Sequence, residues 1–98
     1  MTTTYQKIDF LSDCVTDKEQ QIQESLDKLE LLYPQLAKIQ EMLRHRTGRS
    51  ASSLQRQLSA VKTKQLALEC KIQSDQIALR RLRSQLAANR IALRLTGS

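Results

Sequence analysis

The side chains able to do chemistry are few and scattered. His45 is the one histidine, and Cys14 and Cys70 are the two cysteines. A histidine can act as a general base, but only where a nucleophile and an orienting group converge with it on a pocket. No Ser/His/Asp set assembles around His45. It stands between Arg44 and Arg46 at the end of a helical stretch, where an imidazole interacts favourably with the helix dipole. The cysteines have no neighbouring ligand residues and read as small apolar side chains. There is no P-loop, no dinucleotide fingerprint and no Cys/His cluster, so nothing calls for a cofactor or a metal. Arg49-Ser50-Ala51-Ser52 matches a basic-directed kinase site, but matches of that length are common by chance. The chain reads as a non-enzyme.

The elements carrying these residues follow from composition. Aromatic residues make up 3% of the 98 residues, and there are two glycines and one proline. Gln, Leu, Lys, Arg and Ala fill most of the remainder, the profile of long helices or a coiled coil in one domain. The longest apolar runs, such as Leu31–Tyr33 and Leu66–Leu68, fall far below the ~20 residues that span a bilayer. The start, MTTTYQKIDF, lacks an apolar run after a basic segment, which argues against a Sec signal and for a cytoplasmic protein.

Apolar spacing defines two seams. Ile8, Leu11, Val15, Ile22, Leu29, Leu32, Leu36, Ile39 and Leu43 recur in steps of three and four, with Lys18 and Ser25 filling the remaining positions. Leu54, Leu58, Val61, Leu68, Ile72, Leu79, Leu82, Leu86 and Leu93 repeat the pattern, with Gln65, Asp75 and Asn89 in phase. This predicts an all-α fold, a long antiparallel two-helix coiled-coil hairpin. The helices cover about residues 5–45 and 53–95 and the loop 46–52. Gly48 can end the first helix in a left-handed conformation, and Ser52 with Gln55 can cap the second. Folding about Gly48 sets Leu43 against Leu54, Leu36 against Val61 and Val15 against Leu82. Cys14 and Cys70 then lie about 20 Å apart, which excludes a disulfide between them. Pro34 sits inside the first seam without disturbing its phase, predicting a kinked helix; the alternative is a break with Pro34 opening a new helix.

Two features weaken an isolated hairpin. The polar residues Lys18, Ser25, Gln65, Asp75 and Asn89 occupy core layers, each forgoing the ~1.5–3 kcal/mol of a buried aliphatic side chain while helping to set register. Lys18 and Asp75 lie one layer apart, within diagonal reach. The second helix also carries a further apolar stripe, Leu66, Cys70, Ile77, Ala88, Ile91 and Leu95, roughly opposite its seam. That stripe predicts packing against further helices, from a second copy or another protein, to form a bundle.

Charge is divided unevenly. Residues 1–45 hold eight acids and five bases, whereas 46–98 hold two acids and eleven bases, giving +6 overall. The acidic and basic helices favour each other through specificity more than energy. Arg44, Arg46, Arg49 and Arg56 cluster at the tip, and Arg80, Arg81, Arg83, Arg90 and Arg94 lie toward the far end of the second helix. Together they form either a solvated face or a basic docking surface for an acidic partner.

In architecture the chain resembles several groups of small helical-hairpin proteins: stalk-like components and chaperones of bacterial export machines, and small coiled-coil subunits of eukaryotic complexes. Such resemblance implies a shape and assigns no activity. The reading is a coiled-coil protein-interaction subunit (an adaptor, scaffold or chaperone-like part of an assembly) whose partner is a second copy or another helical protein. The alternative is a basic helical rod on nucleic acid or an anionic membrane. No aromatics accompany the arginines to stack on bases, and no recognition-helix unit is present, which disfavours nucleic acid. The second helix also lacks the bulky aromatics of a membrane-lying helix.

Overall fold

Helix formers dominate both halves of the sequence, so its few turn residues decide where the helices stop. In the computed structural model, which describes residues 3–96, two helices account for nearly all of the chain: α1 (Thr4–Arg44) and α2 (Arg49–Thr96). No strand occurs among the described residues. The fold is an all-α helical hairpin.

The first cap is a reciprocal one. The Gln6 N–H donates to Thr3 Oγ1 at 3.1 Å, and the Thr3 N–H donates to Gln6 Oε1 at 2.9 Å. This capping box satisfies two backbone donors that a helix start leaves orphaned. It places the beginning of α1 slightly earlier than the apolar pattern suggests, because the seam starts only at Ile8.

The turn departs from the sequence reading. The loop is shorter than 46–52, since α2 begins at Arg49. Gly48 holds a φ of 70°, and its carbonyl accepts the Ser52 N–H at 3.1 Å, the first bond of α2. Ser52 is therefore inside the first turn and is not its N-cap. Its hydroxyl donates back to the Gly48 carbonyl at 3.4 Å. Ser52 loses the capping role because a left-handed Gly48 reverses the chain at once, and the good helix formers after it need no later start. Pro34 lies inside α1, which runs through it without interruption.

The chain divides into two compact units. The tip unit is Glu24–Ile72; the terminal unit comprises the described residues of Met1–Gln23 and Gln73–Ser98. In the tip unit, Leu32, Leu36, Ile39, Leu54 and Val61 form one buried cluster, with Met42, Leu43, Leu58 and Leu68 packed against it. Leu29, Ile72 and Ser25 are buried as well. In the terminal unit Leu11, Leu79, Leu86 and Asp75 are buried, flanked by half-buried Ile8, Val15, Ile22, Leu82, Asn89 and Leu93. Every seam position in each unit is thus withdrawn from water. Yet among the described residues no large side chain is fully sealed; the buried leucines, isoleucines and valine keep 6–9% exposure. A core one side-chain layer deep cannot close over its own members.

Two substitutions check this account of the backbone. No atom lies within 4 Å of a Cβ built on Gly48, so Gly48→Ala is opposed by backbone conformation alone. It is expected to lower stability by about 1–2 kcal/mol in urea denaturation, with Gly48→Asn losing less. Pro34→Ala restores a helical N–H at an exposed position. It is expected to raise the denaturation midpoint, by up to ~3 kcal/mol in stability.

Candidate protein-interaction surface

Once the seam is buried, the outer face of α2 can be read directly. Leu66, Ile77, Ile91 and Leu95 remain 45–79% exposed, and Cys70 and Ala88 are exposed too. Leu66 and Cys70 belong to the tip unit and the other four to the terminal unit. In the terminal unit Ile77 and Ile91 stand two heptads apart at one angular position, about 21 Å along the helix. Ser84 occupies the same position midway, with Arg80 and Arg81 between Ile77 and Ser84 and Arg94 one turn beyond Ile91. This face alternates aliphatic side chains with guanidinium groups, which suits a partner carrying apolar anchors flanked by carboxylates.

The basic positions are all exposed, but they are not equivalent. In the tip unit Arg44 Nη1 donates to Glu41 Oε2 at 3.4 Å, and His45 Nε2 lies 3.2 Å from Glu41 Oε1. One carboxylate thus contacts both side chains beside the turn. Arg46, Arg49 and Arg56 project without such a partner among the described residues. In the terminal unit Arg83 Nη2 lies 3.5 Å from Glu19 Oε1, while Arg80, Arg81, Arg90 and Arg94 are exposed and form no ion pair among the described residues. Surface pairs of this kind contribute ~1 kcal/mol or less, so the free guanidinium groups matter more for what they attract.

The polar core residues differ in character. Lys18 Nζ donates to Asp75 Oδ1 at 3.4 Å across the terminal-unit seam and to Gln21 Oε1 at 3.0 Å along its own helix. Ser25 is 3% exposed, more deeply buried than any aliphatic core residue. Gln65 turns to Glu69 Oε1 at 3.1 Å, and Asn89 donates to the Gln85 carbonyl at 2.8 Å. Both thus satisfy their amides on their own helix. Among the described residues no buried side-chain nitrogen or oxygen lacks a partner.

Two further features were not read from the sequence. α1 also exposes large apolar side chains: Tyr5 and Phe10 in the terminal unit, and Leu26, Leu31 and Tyr33 in the tip unit. On one flank of the tip unit, Leu31 and Met42 line an open apolar groove beside Lys28, Lys38 and Lys64. The signal was present as a line of residues parallel to the α1 seam, Lys28, Leu31, Gln35, Lys38 and Met42, in the same steps of three and four. It escapes notice in a single helix because the groove needs the matching flank of α2.

Cys14 is half-buried and Cys70 exposed, and both are free thiols. No group of three or more potential metal ligands occurs among the described residues. No helix there is long and apolar enough to cross a membrane. No protein-family model, curated protein or solved structure matches the chain.

The Lys18–Asp75 pair is open to test by substitution. Replacing both with leucine is expected to stabilise the hairpin, by less than the ~1–4 kcal/mol gained where a fully buried ion pair gives way to packed aliphatics, because Lys18 stays a quarter exposed. Lys18→Leu alone removes the cross-seam cation from Asp75 and is expected to lower the melting midpoint. Thermal denaturation of the two variants and the parent reads both effects.

Proposed function

We propose that this chain is a non-enzymatic interaction subunit, a coiled-coil hairpin that binds partner helices and serves as an adaptor, scaffold or chaperone-like part of a larger assembly. The observation that carries this reading is the exposure of Leu66, Ile77, Ile91 and Leu95 after the hairpin has buried its seam. Full burial of one such side chain is worth roughly 1.5–3 kcal/mol. Covering several on a second copy or another helical protein would supply stability that a one-layer core lacks, and packing of that kind makes a bundle. In the terminal unit Ile77, Ile91 and Leu95 lie beside Arg80, Arg81 and Arg94, which favours a partner with its own flanking carboxylates.

A second reading rests on Arg80, Arg81, Arg90 and Arg94, exposed and without an ion pair among the described residues of the terminal unit. In that reading the basic face grips nucleic acid or anionic lipid through phosphates, and its affinity falls steeply with salt.

The two readings separate in one experiment. Light scattering of the purified chain over a range of concentrations at low and moderate salt gives its mass. The same measurement follows for Ile77→Asp/Ile91→Asp and for Arg80→Gln/Arg81→Gln/Arg90→Gln. Self-association, or binding of a co-purified partner, is expected to be lost in the isoleucine variant while far-UV circular dichroism stays helical. Association that survives this change sinks the stripe. Binding to DNA or anionic vesicles that vanishes in the arginine variant supports the second reading instead.

A further inference from the structure

We infer that the flank groove of the tip unit is a second docking site, built for an amphipathic helix whose apolar stripe is bordered by carboxylates. The groove lies between two lines of side chains. α1 supplies Lys28, Leu31, Gln35, Lys38 and Met42; α2 supplies Gln57, Ala60, Lys64 and Ala67. Its floor is the edge of the seam: Leu32, Ile39, Val61 and Leu68. Its two stretches, of about 440 and 450 Å³, adjoin at Gln35, which lines both. From Lys28 to Met42 it runs about 21 Å, close to four helical turns.

Three properties point to that occupant. Leu31 is 70% exposed although it stands beside the buried Leu32, so a large apolar side chain is held at the groove edge with nothing over it. Opposite, α2 presents only Ala60 and Ala67 between its polar positions, leaving room for a helix to approach closely. The charged groups of the lining are Lys28, Lys38 and Lys64, with no carboxylate among them, and none of the three ammonium groups forms an ion pair among the described residues. An apolar floor rimmed by one sign of charge selects a helix with apolar anchors and the opposite sign at its borders. The same rim disfavours a second copy seated groove to groove, since that would bring the lysines of two chains together. The concave floor equally disfavours a flat anionic bilayer.

This site is independent of the outer stripe of α2 and does not rest on it. The test uses the full chain and two synthetic helical peptides of three heptads. Both carry the same Leu/Ile stripe; one is flanked by glutamates and the other by lysines. Titration calorimetry gives affinities, and amide chemical shifts give location. The glutamate peptide is expected to bind at least tenfold more tightly than the lysine peptide, with shifts confined to residues 28–42 and 57–68. Leu31→Glu, at a position too exposed to unfold the hairpin, is expected to weaken it tenfold or more. Lys28→Glu/Lys64→Glu is expected to reverse the preference between the peptides. Ile77→Asp/Ile91→Asp is expected to change nothing here, so this site and the outer stripe stand or fall separately. Absence of binding, equal affinity for both peptides, or binding that ignores Leu31→Glu overturns the proposal. So does a mass above the monomer that Leu31→Glu abolishes, which would make a second copy the occupant, or anionic-vesicle binding lost in the lysine variant.

Discussion

A hairpin of two helices can bury one stripe from each and nothing more, and the rest of this molecule follows from that limit. In each unit the seam side chains meet across a single layer, with water on both flanks. The buried aliphatics therefore all keep a small residual exposure, and none is sealed. The gain per side chain is real, at roughly 1.5–3 kcal/mol, but there are no deeper layers to add to it. Conformational entropy of ~1–2 kcal/mol per ordered residue sets a demand that a thin core meets narrowly. Under that constraint the polar layers matter. Ser25 gives the tip unit a buried position with little apolar surface, while Asp75 in the terminal unit requires a cation to stay folded into the seam. These positions trade stability for a definite pairing of the helices, since a slipped register would set Lys18 and Asp75 against aliphatics.

The same limit explains how the sequence could be read. Burial follows the two lines of steps of three and four residue by residue, from Ile8 to Leu43 and from Leu54 to Leu93, because a seam is a one-dimensional pattern written along each helix. The turn was less legible. Ser52 with Gln55 satisfies the rule for a helix start, but so does any small polar residue near a glycine. The choice fell to Gly48, whose left-handed backbone closes the reversal sooner than a side-chain cap would. The Thr3–Gln6 capping box was legible in principle, as a threonine three residues before a glutamine, but the apolar pattern begins too late to point to it. Surfaces formed by two flanks together were legible only as separate lines of residues on each helix. A groove lined by Leu31 and Ala67 depends on how the helices pair, and neither flank stands out alone.

Charge adds a second level of organisation. The excess of acids in the first half and bases in the second suggests general attraction between the helices, and in the terminal unit Lys18–Asp75 and Glu19–Arg83 pair directly across them. Glu41 engages both Arg44 and His45 beside the turn in the tip unit, and Glu19 engages Arg83 in the terminal unit. Such exposed contacts order side chains more than they hold the fold. The greater consequence is what stays uncompensated: lysines along the tip-unit groove and arginines between the aliphatics of the terminal-unit face.

Both faces therefore offer the same chemical offer in different geometry, apolar side chains interleaved with unpaired cations. On the groove flank the aliphatic surface is recessed and the cations form its rim, which favours a helix lying along it. On the outer face of α2 the aliphatics stand proud and the cations sit between them, which favours a partner that brings its own pockets. A chain with a one-layer core gains most from partners where its apolar side chains are least covered, and among the described residues Leu31 and Leu95 are its most exposed large aliphatic side chains. On the proposed reading, cations beside them would raise encounter rates and reject basic partners without adding much affinity. Specificity would then reside in the charged borders and affinity in the aliphatic anchors, so the two properties could be altered separately by substitution.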